Sequence, residues 1–288
     1  MNTATRRRLG VLVALLSVAV YAWLPVEAVS TAVCPNDKLC VAFLDVGQGD
    51  ATFIQSPSGV QVLVDGGRGS QVLNELSQLM EFWDRELDYV IATHPDADHV
   101  GGLGGVFDRY MVRSFMRTEN ESDTNAWESV KDKAAAEGAE IILARRGQVI
   151  DMGSGVKLEV LFPDSDMSNS NSNAASIILR LTYGGNSMIL TGDAPKGVEE
   201  YLVLIEGENL ASDVLKVGHH GSRTSTSETF LAEVDPNLAV ISVGANNQYG
   251  HPHVEVTDLL FNYGVTTYST DESGRVVLVS DGSTILKQ

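Results

Sequence analysis

The segment His94-Pro95-Asp96-Ala97-Asp98-His99 places four potential metal ligands within six residues. Imidazole nitrogens and carboxylate oxygens bind borderline ions such as Zn²⁺, whereas harder ions such as Mn²⁺ or Mg²⁺ favour oxygen. The segment lies between an apolar run and the pair Gly101-Gly102, so we expect a turn whose ligands point into one cavity. It therefore predicts a site for two divalent metal ions, the alternative being a solvated polar turn.

Two later segments place further potential ligands directly after apolar runs. Asp193 ends the run Ile189-Leu190-Thr191-Gly192-Asp193, and its carboxylate could bridge two ions, although alone it would be an ordinary turn residue. The segment His219-His220-Gly221-Ser222 follows the run 214–217. Paired histidines after a strand suggest one metal ligand and one residue that supports a ligand or contacts the substrate. An accidental polar loop is the alternative.

The segment His251-Pro252-His253 follows the polar stretch 246–250. His251 could donate a proton to a leaving group or hold a substrate oxyanion, and equally it could cap a surface helix. His253 is open between a substrate contact and a surface residue.

These residues can meet only if several strands end at one edge of the fold, where α/β proteins place their active sites. The apolar run 87–93 predicts the strand that delivers His94. Runs at 41–46, 51–55 and 60–64 predict a β-meander, and apolar spacing over 70–84 predicts a helix. Further strands are predicted at 111–116, 140–144, 156–162, 176–183 and 187–191, with a helix at 124–137. Strand, turn and helix alternate again over 214–217, 227–233, 238–243 and 254–262, and two sheets flanked by helices is the economical arrangement.

We expect three regions along the chain. Residues 1–28 contain Arg6-Arg7-Arg8, an uncharged apolar run over 9–24 and Val26-Glu27-Ala28, a pattern typical of a signal peptide. An uncleaved membrane anchor through 9–24 is the alternative, and either arrangement predicts a secreted protein or one at the extracytoplasmic face. Residues 29–40 form a short linker whose Cys34 and Cys40 could pair in an oxidising compartment or, less simply, bind a metal. Residues 41–288 form one domain, because candidate ligands lie on both sides of the polar stretch 164–173.

The composition is that of a globular protein with a strongly acidic surface. Apolar residues make up 43% and charged residues 20% of the 288-residue chain, and the formal net charge is −18. Such a charge disfavours free polyanions as partners at long range, but bound divalent cations would add local positive charge. The composition alone therefore does not favour nucleic acid as a substrate.

The motifs resemble the metallo-β-lactamase superfamily and, within it, the hydrolase domain of the ComEC competence proteins. The resemblance runs from Val41 to about Leu260 and implies a four-layer αββα sandwich. It is carried by six ordered blocks: Leu44-Asp45-Val46-Gly47-Gln48-Gly49-Asp50-Ala51, Val64-Asp65-Gly66-Gly67, Thr93-His94-Pro95-Asp96-Ala97-Asp98-His99-Val100-Gly101-Gly102, Leu190-Thr191-Gly192-Asp193-Ala194, Lys216-Val217-Gly218-His219-His220-Gly221-Ser222 and Tyr249-Gly250-His251-Pro252-His253.

The resemblance implies a ligand set for two ions, Zn or Mn. His94 and Asp96 would hold the first metal, Asp98 and His99 the second, and Asp193 would bridge. His219 would complete the second site, with His220 as its alternate. Two departures weaken the first site: Asp96 stands where most of the superfamily has His, and the usual third histidine is missing, its region being occupied by Asn173 and Ser176.

The function implied by the resemblance is metal-dependent hydrolysis, most simply of a phosphodiester through a metal-activated water. DNA outside the cell is the leading substrate. A phosphorylcholine esterase or lactonase on the same site and a non-catalytic exported binding module are the alternatives, and a role in DNA uptake does not follow for a chain without the ComEC channel. The catalytic candidates are Asp98, Lys216, His220 and His251, and the substrate-binding candidates are Asn173, Ser176, Ser222 and His253.

Overall fold

The first of two β-sheets is built from strands at both ends of the chain in the computed structural model, which describes residues 33–288. Its strands are β1 (Leu39–Phe43), β2 (Thr52–Gln55), β3 (Gln61–Val64), β4 (Glu86–Ile91), β5 (Met111–Arg117), β6 (Glu140–Leu143), β14 (Val276–Ser280) and β15 (Ile285–Lys287). They lie in the order β15-β14-β1-β2-β3-β4-β5-β6. Strands β3 to β6 are parallel, whereas β1, β2 and β3 form the antiparallel meander predicted from the sequence.

The second sheet is built from the middle of the chain. Its strands are β7 (Val149–Asp151), β8 (Val156–Phe162), β9 (Ile178–Tyr183), β10 (Asn186–Leu190), β11 (Val214–Lys216), β12 (Leu238–Ile241) and β13 (Thr266–Ser269). They lie in the order β13-β12-β11-β10-β9-β8-β7. Strands β10 to β13 are parallel, so their carboxyl ends lie at one edge.

Helices cover the outer faces of both sheets. They are α1 (Gln71–Leu79), α2 (Ala97–Val100), α3 (Leu103–Phe107), α4 (Asn125–Glu137), α5 (Lys196–Glu206), α6 (Glu228–Val234), α7 (Val254–Asn262) and α8 (Thr270–Ser273). Local signals fix several ends: Thr124 and Ser227 accept hydrogen bonds from Trp127 N and Phe230 N at the starts of α4 and α6, and Gly138 ends α4 at φ +79°.

Three apolar clusters define the layers. One joins α1, α3 and α4 to the first sheet, and another joins α5, α6 and α7 to the second. The third lies between the sheets and combines residues such as Phe43 and Ile91 with Leu190 and Val240. Burial of apolar side chains on both faces of each sheet is what makes four layers stable, and the predicted αββα sandwich is confirmed.

The first strand begins earlier than the sequence pattern indicates. Cys40 lies inside β1, paired with Gln55 and Val279, rather than in a linker before it. A disulfide joins Cys40 to Cys34, whose Cα atoms are 5.4 Å apart, so the segment before β1 is held against the domain.

Predictions for the leader concern residues outside the described range. The basic run, the apolar run 9–24 and the cleavage site at Ala28 all precede residue 33. Between residues 33 and 288, none of the helices combines the length and apolar character needed to cross a bilayer.

Candidate metal centre

The candidate ligands lie at the carboxyl ends of parallel strands from both sheets. His94 follows β4 and Asp65 follows the neighbouring β3, while Asp193 follows β10 and the histidine pair follows the neighbouring β11. Since the carboxyl ends of parallel neighbours meet at one edge, two separate parts of the sequence supply one cluster.

Asp193 is the centre of that cluster. Its Oδ1 atom lies 3.2 Å from Nε2 of His99, and its Oδ2 atom lies 4.0 Å from Nε2 of His94 and 3.8 Å from Nε2 of His220. These four side chains are at most 4% exposed. A carboxylate with imidazoles facing both of its oxygens is suited to bridging two cations.

Asp96 and Asp98 extend the cluster on its more open side. Oδ2 of Asp96 lies 3.7 Å from Nε2 of His94, and Oδ2 of Asp98 lies 3.6 Å from Nε2 of His220. The side chain of Asp96 is 42% exposed and accepts a 2.6 Å hydrogen bond from the Ser172 hydroxyl. The open side of the cluster is thus formed by the two aspartates, whereas His94 and His99 lie buried together with Asp193.

The structure distinguishes the two adjacent histidines. His220 is buried and faces both Asp98 and Asp193, and it forms a potential metal-binding group with Asp98 and His99. His219 is 26% exposed and lies 3.5 Å from Asp193, while its Nδ1 atom lies 3.0 Å from the Thr224 hydroxyl. Both histidines thus reach Asp193, and His220 is the one that lies buried beside Asp98 and His99.

The histidine pair adopts an unusual backbone conformation. His219 has φ +50° and His220 has φ +55°, so two consecutive residues with side chains occupy the left-handed region. Such residues are strained and persist where the surrounding structure holds them in place. Gly221 continues the turn at φ +79°, and a Cβ atom there would lie 2.6 Å from Cβ of Pro252.

Two buried carboxylates hold the imidazoles in orientation. Asp65 lies 2.8 Å from Nδ1 of His99 and accepts hydrogen bonds from the backbone N–H and hydroxyl of Thr93. Asp50 lies 3.2 Å from Nδ1 of His220 and 2.9 Å from the Lys216 ammonium. Nδ1 of His99 is engaged by Asp65, and Nδ1 of His220 lies 3.0 Å from the Ser242 carbonyl oxygen beside Asp50, so both Nε2 atoms are directed at the cluster.

The residues present fit a divalent ion. Four buried atoms that face one another have no hydrogen-bond partner among residues 33–288: Nε2 of His94, His99 and His220, and Oδ1 of Asp193. Buried polar atoms without partners are costly, and their convergence is uncommon unless another group binds them. Together with the carboxylates nearby, these nitrogens form the mixed donor set that transition metals accept.

The electrostatics of the cluster keep its carboxylates ionised. Burial alone would raise the pKa of Asp98, but the neighbouring imidazoles of His220 and His99 lower it to about 2. Burial is likewise outweighed at Asp193, where His99 and His220 hold the pKa well below its ordinary value. Burial would lower the pKa of His220, but the charges of Asp193 and Asp50 raise it to about 10. At neutral pH the carboxylates are therefore in the form that binds metals, whereas His220 would have to lose a proton to bind one.

Several residues predicted to contact substrate are buried instead. Lys216 is 2% exposed and its ammonium is engaged by Asp50 and by the carbonyl of Val217, so it does not face the cleft. Ser176 is fully buried, and its hydroxyl accepts a hydrogen bond from Asp193 N and lies 3.4 Å from Nδ1 of His94. The structure thus places Lys216 and Ser176 beneath the cluster, in contact with Asp50 and Asp193, and not at its open side.

Ser222 is also buried. It is 4% exposed, and its hydroxyl lies 3.0 Å from that of Thr224, which in turn contacts His219. The expected substrate contact of Ser222 is therefore not available, and the side chain supports the loop instead.

Other predicted residues lie at the rim of the cluster. Nδ2 of Asn173 is 3.4 Å from Nδ1 of His219, so this amide lies at the edge of the cluster, in the region where the resemblance leads one to expect a third histidine. Nδ1 of His253 accepts a hydrogen bond from the backbone of Arg223, and the residue precedes α7. His251 lies with its ring centroid 5.7 Å from that of His219.

His251 is neutral near pH 7. Burial, followed by the charges of His220 and His219, lowers its pKa to about 4. A neutral imidazole still has one N–H that can donate a hydrogen bond. This favours a contact with a substrate oxygen over transfer of a proton from an imidazolium.

Sequence reasoning gave no role to Asp50 or Asp65. Asp50 ends the turn Gly47-Gln48-Gly49-Asp50, and Asp65 lies between a strand and the pair Gly66-Gly67. Both resemble ordinary turn residues, although both lie in the blocks that resemble the superfamily. A signal was present in Gly49, which has φ +141° and whose Cβ atom, if present, would lie 2.2 Å from the carbonyl oxygen of Asp98. Only glycine allows the turn that carries Asp50 to approach the ligand segment so closely.

Comparisons with known proteins agree with this geometry. A family model described as the metallo-beta-lactamase superfamily matches residues 44–245. The chain is 34% identical over 260 residues to ComE operon protein 3 of Bacillus subtilis (strain 168), covering 84% of this chain and 33% of that protein. It is 32% identical over 240 residues to competence protein ComA of Neisseria gonorrhoeae, covering 83% of this chain and 32% of that protein. The chain thus spans about a third of the length of these relatives.

Among solved structures, the chain is similar in fold to CmlA, a diiron beta-hydroxylase from Streptomyces venezuelae. The TM-score is 0.56 and the identity 13%, and the match covers 88% of this chain and 55% of that one. At this identity the likeness concerns the fold.

Proposed function

This chain belongs to the metallo-β-lactamase superfamily, whose members are generally metal-dependent hydrolases, and on that basis we propose that it hydrolyses phosphodiesters, with single-stranded or nicked DNA outside the cell as its substrate. One observation carries the hydrolase proposal. Four buried ligand atoms from His94, His99, Asp193 and His220 face one another without hydrogen-bond partners in residues 33–288, as a bound cation requires.

The ligand set divides into two groups that share Asp193. His94, Asp96 and Asp193 would hold a first ion, and Asp98, His99, His220 and Asp193 a second. When bound, two divalent ions supply an ionised water near neutral pH and positive charge beside the transferred phosphoryl group. Zn²⁺ and Mn²⁺ both suit this mixture of nitrogen and oxygen ligands.

The residues around the cluster supply the remaining functions. Neutral His251 is placed to donate a hydrogen bond to a phosphoryl oxygen, and the amide of Asn173 lies at the same rim. The exposed side chains of Lys196, at the start of α5, and Arg223, in the loop after His219, belong to neighbouring segments, since Lys196 N donates to the Thr224 carbonyl. Their charges are suited to contact the backbone of a nucleic acid and offset, locally, the acidic surface of the chain.

The DNA substrate is supported by relatives rather than by the overall charge. The motifs resemble the ComEC subgroup, and one relative is named a competence protein. The net charge of −18 would suit a smaller or neutral ester, so an esterase or lactonase is the second candidate function. The extracytoplasmic location that we propose is supported by the Cys34–Cys40 disulfide, because such bonds persist in oxidising compartments.

Hydrolysis of matched substrates tests the proposal. Protein with added Mn²⁺ or Zn²⁺ would be assayed on single-stranded DNA, nicked plasmid, bis-p-nitrophenyl phosphate, a phosphorylcholine ester and a lactone. We expect DNA hydrolysis that falls at least about 100-fold in Asp98→Ala and in His220→Ala, since even loss of residues that only support ligands costs about 10- to 100-fold. Asp151→Ala, at an exposed turn, is the matched control and should retain activity.

Other outcomes would reassign the site. Rapid hydrolysis of a lactone or phosphorylcholine ester without DNA cleavage would remove the nuclease proposal and keep the hydrolase. Absence of both activity and retained metal after dialysis would leave a non-catalytic binding module. Equal activity in wild type, Asp98→Ala and His220→Ala would overturn the metal centre itself.

A further inference from the structure

Tyr249 lies at the mouth of the metal centre with its ring open to solvent. The residue is 45% exposed, and its ring stacks on His251 with an interplanar angle of 24° and a centroid distance of 5.7 Å. On its other sides the ring of His251 neighbours His253, 4.8 Å away, and His219, which is 5.7 Å away and inclined by 74°. Tyr249 therefore extends an aromatic series that begins at the ligand cluster and ends in solvent.

The loop that carries Tyr249 is held in one conformation by the side chain of Asn247. Its Nδ2 atom donates to the carbonyls of Gly244 and His251 at 3.0 and 2.7 Å, and its Oδ1 atom accepts from the backbone N–H of Tyr249 and His251 at 3.1 and 3.0 Å. The hydroxyl of Tyr249 has no hydrogen-bond partner among residues 33–288. The loop thus presents a pre-formed aromatic face, which lowers the entropic cost of binding a planar group.

The two sides of the metal centre differ in charge. On the side of Asp96 an open depression of about 540 Å³ is lined by Glu121, Asp123 and Glu128, and Lys131 pairs with the two glutamates. On the other side Lys196, at the start of α5, and Arg223, whose backbone donates to His253, are exposed, although Arg223 lies 3.5 Å from Glu255. Since carboxylates outnumber basic groups around the depression, a polyanion would cross the centre more readily on the side of Tyr249.

We propose that Tyr249 stacks on a nucleobase of single-stranded nucleic acid beside the phosphate that is hydrolysed. The proposal rests on the proposed function and deepens it, because it names a contact that recognises a base. Every base has a π-face, so stacking on an aromatic side chain binds single strands with little dependence on sequence. In a duplex the faces of the bases are covered by stacking on neighbouring base pairs, so the same contact would favour single-stranded over duplex substrate.

Other exposed aromatic residues in the described range are less suited to this role. Phe82 and Trp83 precede β4, at the strand end opposite His94, and Phe261 lies in the last turn of α7. Tyr263, 40% exposed, follows the end of α7 away from His253 and bonds Glu228 through its hydroxyl. It provides a matched tyrosine control.

The test compares a thymidine oligonucleotide with an oligomer of equal length whose sugars lack bases. Values of kcat and KM would be measured with Mn²⁺ for wild type, Tyr249→Ala, Tyr249→Phe and Tyr263→Ala. We expect Tyr249→Ala to raise KM for the thymidine oligomer roughly 5- to 100-fold, the range for loss of one base stack, with little change in kcat. Tyr249→Phe and Tyr263→Ala should resemble wild type, and all four proteins should treat the baseless oligomer alike.

Two results would overturn the stacking role. If Tyr249→Ala loses activity equally on both oligomers, the ring acts only by supporting His251. If it changes neither, the ring does not touch substrate. If the proposed function itself fails, the result is different, because wild type then cleaves no DNA. In that case binding of the labelled oligomers to EDTA-treated protein would be measured by fluorescence anisotropy. Equal affinity of wild type and Tyr249→Ala for the thymidine oligomer would reject the stacking role.

Discussion

The Asp65 carboxylate lies 2.8 Å from Nδ1 of His99, and the other ring nitrogen of His99 lies 3.2 Å from Asp193. Because Nδ1–H donates to Asp65, the lone pair of Nε2 is free to face the ligand cluster. Asp65 thus selects the tautomer of His99, although the two residues are far apart in the sequence.

Removal of the negative charge at Asp65 should weaken metal binding while the fold is kept. In Asp65→Asn, the amide oxygen can still accept from Nδ1–H but no longer increases the basicity of the imidazole, and the amide nitrogen removes the acceptor of the Thr93 backbone N–H. We expect metal affinity to fall roughly 10- to 100-fold, measured by competition with a chromophoric chelator. Asp151→Asn removes the same charge from an exposed turn and should leave the affinity unchanged; similar affinities in Asp65→Asn and wild type would contradict the role of Asp65.

The buried pair of Lys216 and Asp50 should behave as a unit in stability. The two charged groups are 2.9 Å apart, and Lys216 helps to hold the pKa of Asp50 well below its ordinary value although burial alone would raise it. Lys216→Met leaves Asp50 buried without its partner and should lower the free energy of unfolding by about 3–5 kcal/mol. The double variant Asp50→Asn/Lys216→Met should lose less. Urea unfolding in EDTA measures all three proteins, and a double variant less stable than Lys216→Met would refute the pairing argument.

Glu199 should make stability depend on pH. Burial raises its pKa from 4.5 to about 7, although the backbone N–H groups of Thr226 and Ser227 donate to it at 2.7 Å each. The native state therefore binds this proton more tightly than the unfolded state. The contribution is fully present below pH 4.5 and is lost as pH rises to 7, with a magnitude of at most about 3 kcal/mol.

The variant Glu199→Gln isolates this contribution. It does not titrate and keeps one acceptor oxygen, so only one of the two backbone donors retains its partner. We expect the free energy of unfolding of wild type, relative to that of the variant, to decrease as pH rises from 4.5 to 7. Urea unfolding in the presence of EDTA measures both proteins. Parallel stability profiles for the two proteins over that interval would show that Glu199 is not protonated in the native state.

The strained backbone of His219 should make a glycine variant more stable than an alanine variant at this position. A left-handed residue with a side chain costs roughly 1–2 kcal/mol that glycine does not incur. In EDTA, His219→Gly should therefore unfold with a free energy about 1 kcal/mol higher than His219→Ala. Ser222 has φ −65°, so there the alanine variant should be the more stable of the pair. The same order at both positions would argue against strain at His219.

The sequence predicts the ligand segment because its chemistry is local. One apolar strand is followed by His94, Asp96, Asp98 and His99, and another is followed by Asp193. Both segments can therefore be assigned to the same edge from the sequence alone. The layered fold was accessible for the same reason, since the apolar runs match the buried strands. The short β7 (Val149–Asp151), with a single buried residue, has no apolar pattern that predicts it.

The roles of neighbouring residues were not accessible in this way. Adjacency does not decide between His219 and His220, because two left-handed residues in succession set which ring turns inward. Nor does a lysine after an apolar strand reveal whether its ammonium reaches the cleft. Lys216 meets Asp50 across a sequence separation that no local pattern records, and this contact removes it from the substrate side.

The division of the cluster between the sheets has a mechanical consequence. His94 and His99 follow strands of the first sheet, whereas Asp193 and His220 follow strands of the second. A sliding of one sheet over the other by a single residue would separate the imidazoles of one half from the carboxylate of the other by several ångströms. Any ligand bound by both halves therefore resists shear between the sheets. If the chain were cut between β8 and β10, neither fragment would contain all the ligand residues, and the two would have to reassemble to restore the site.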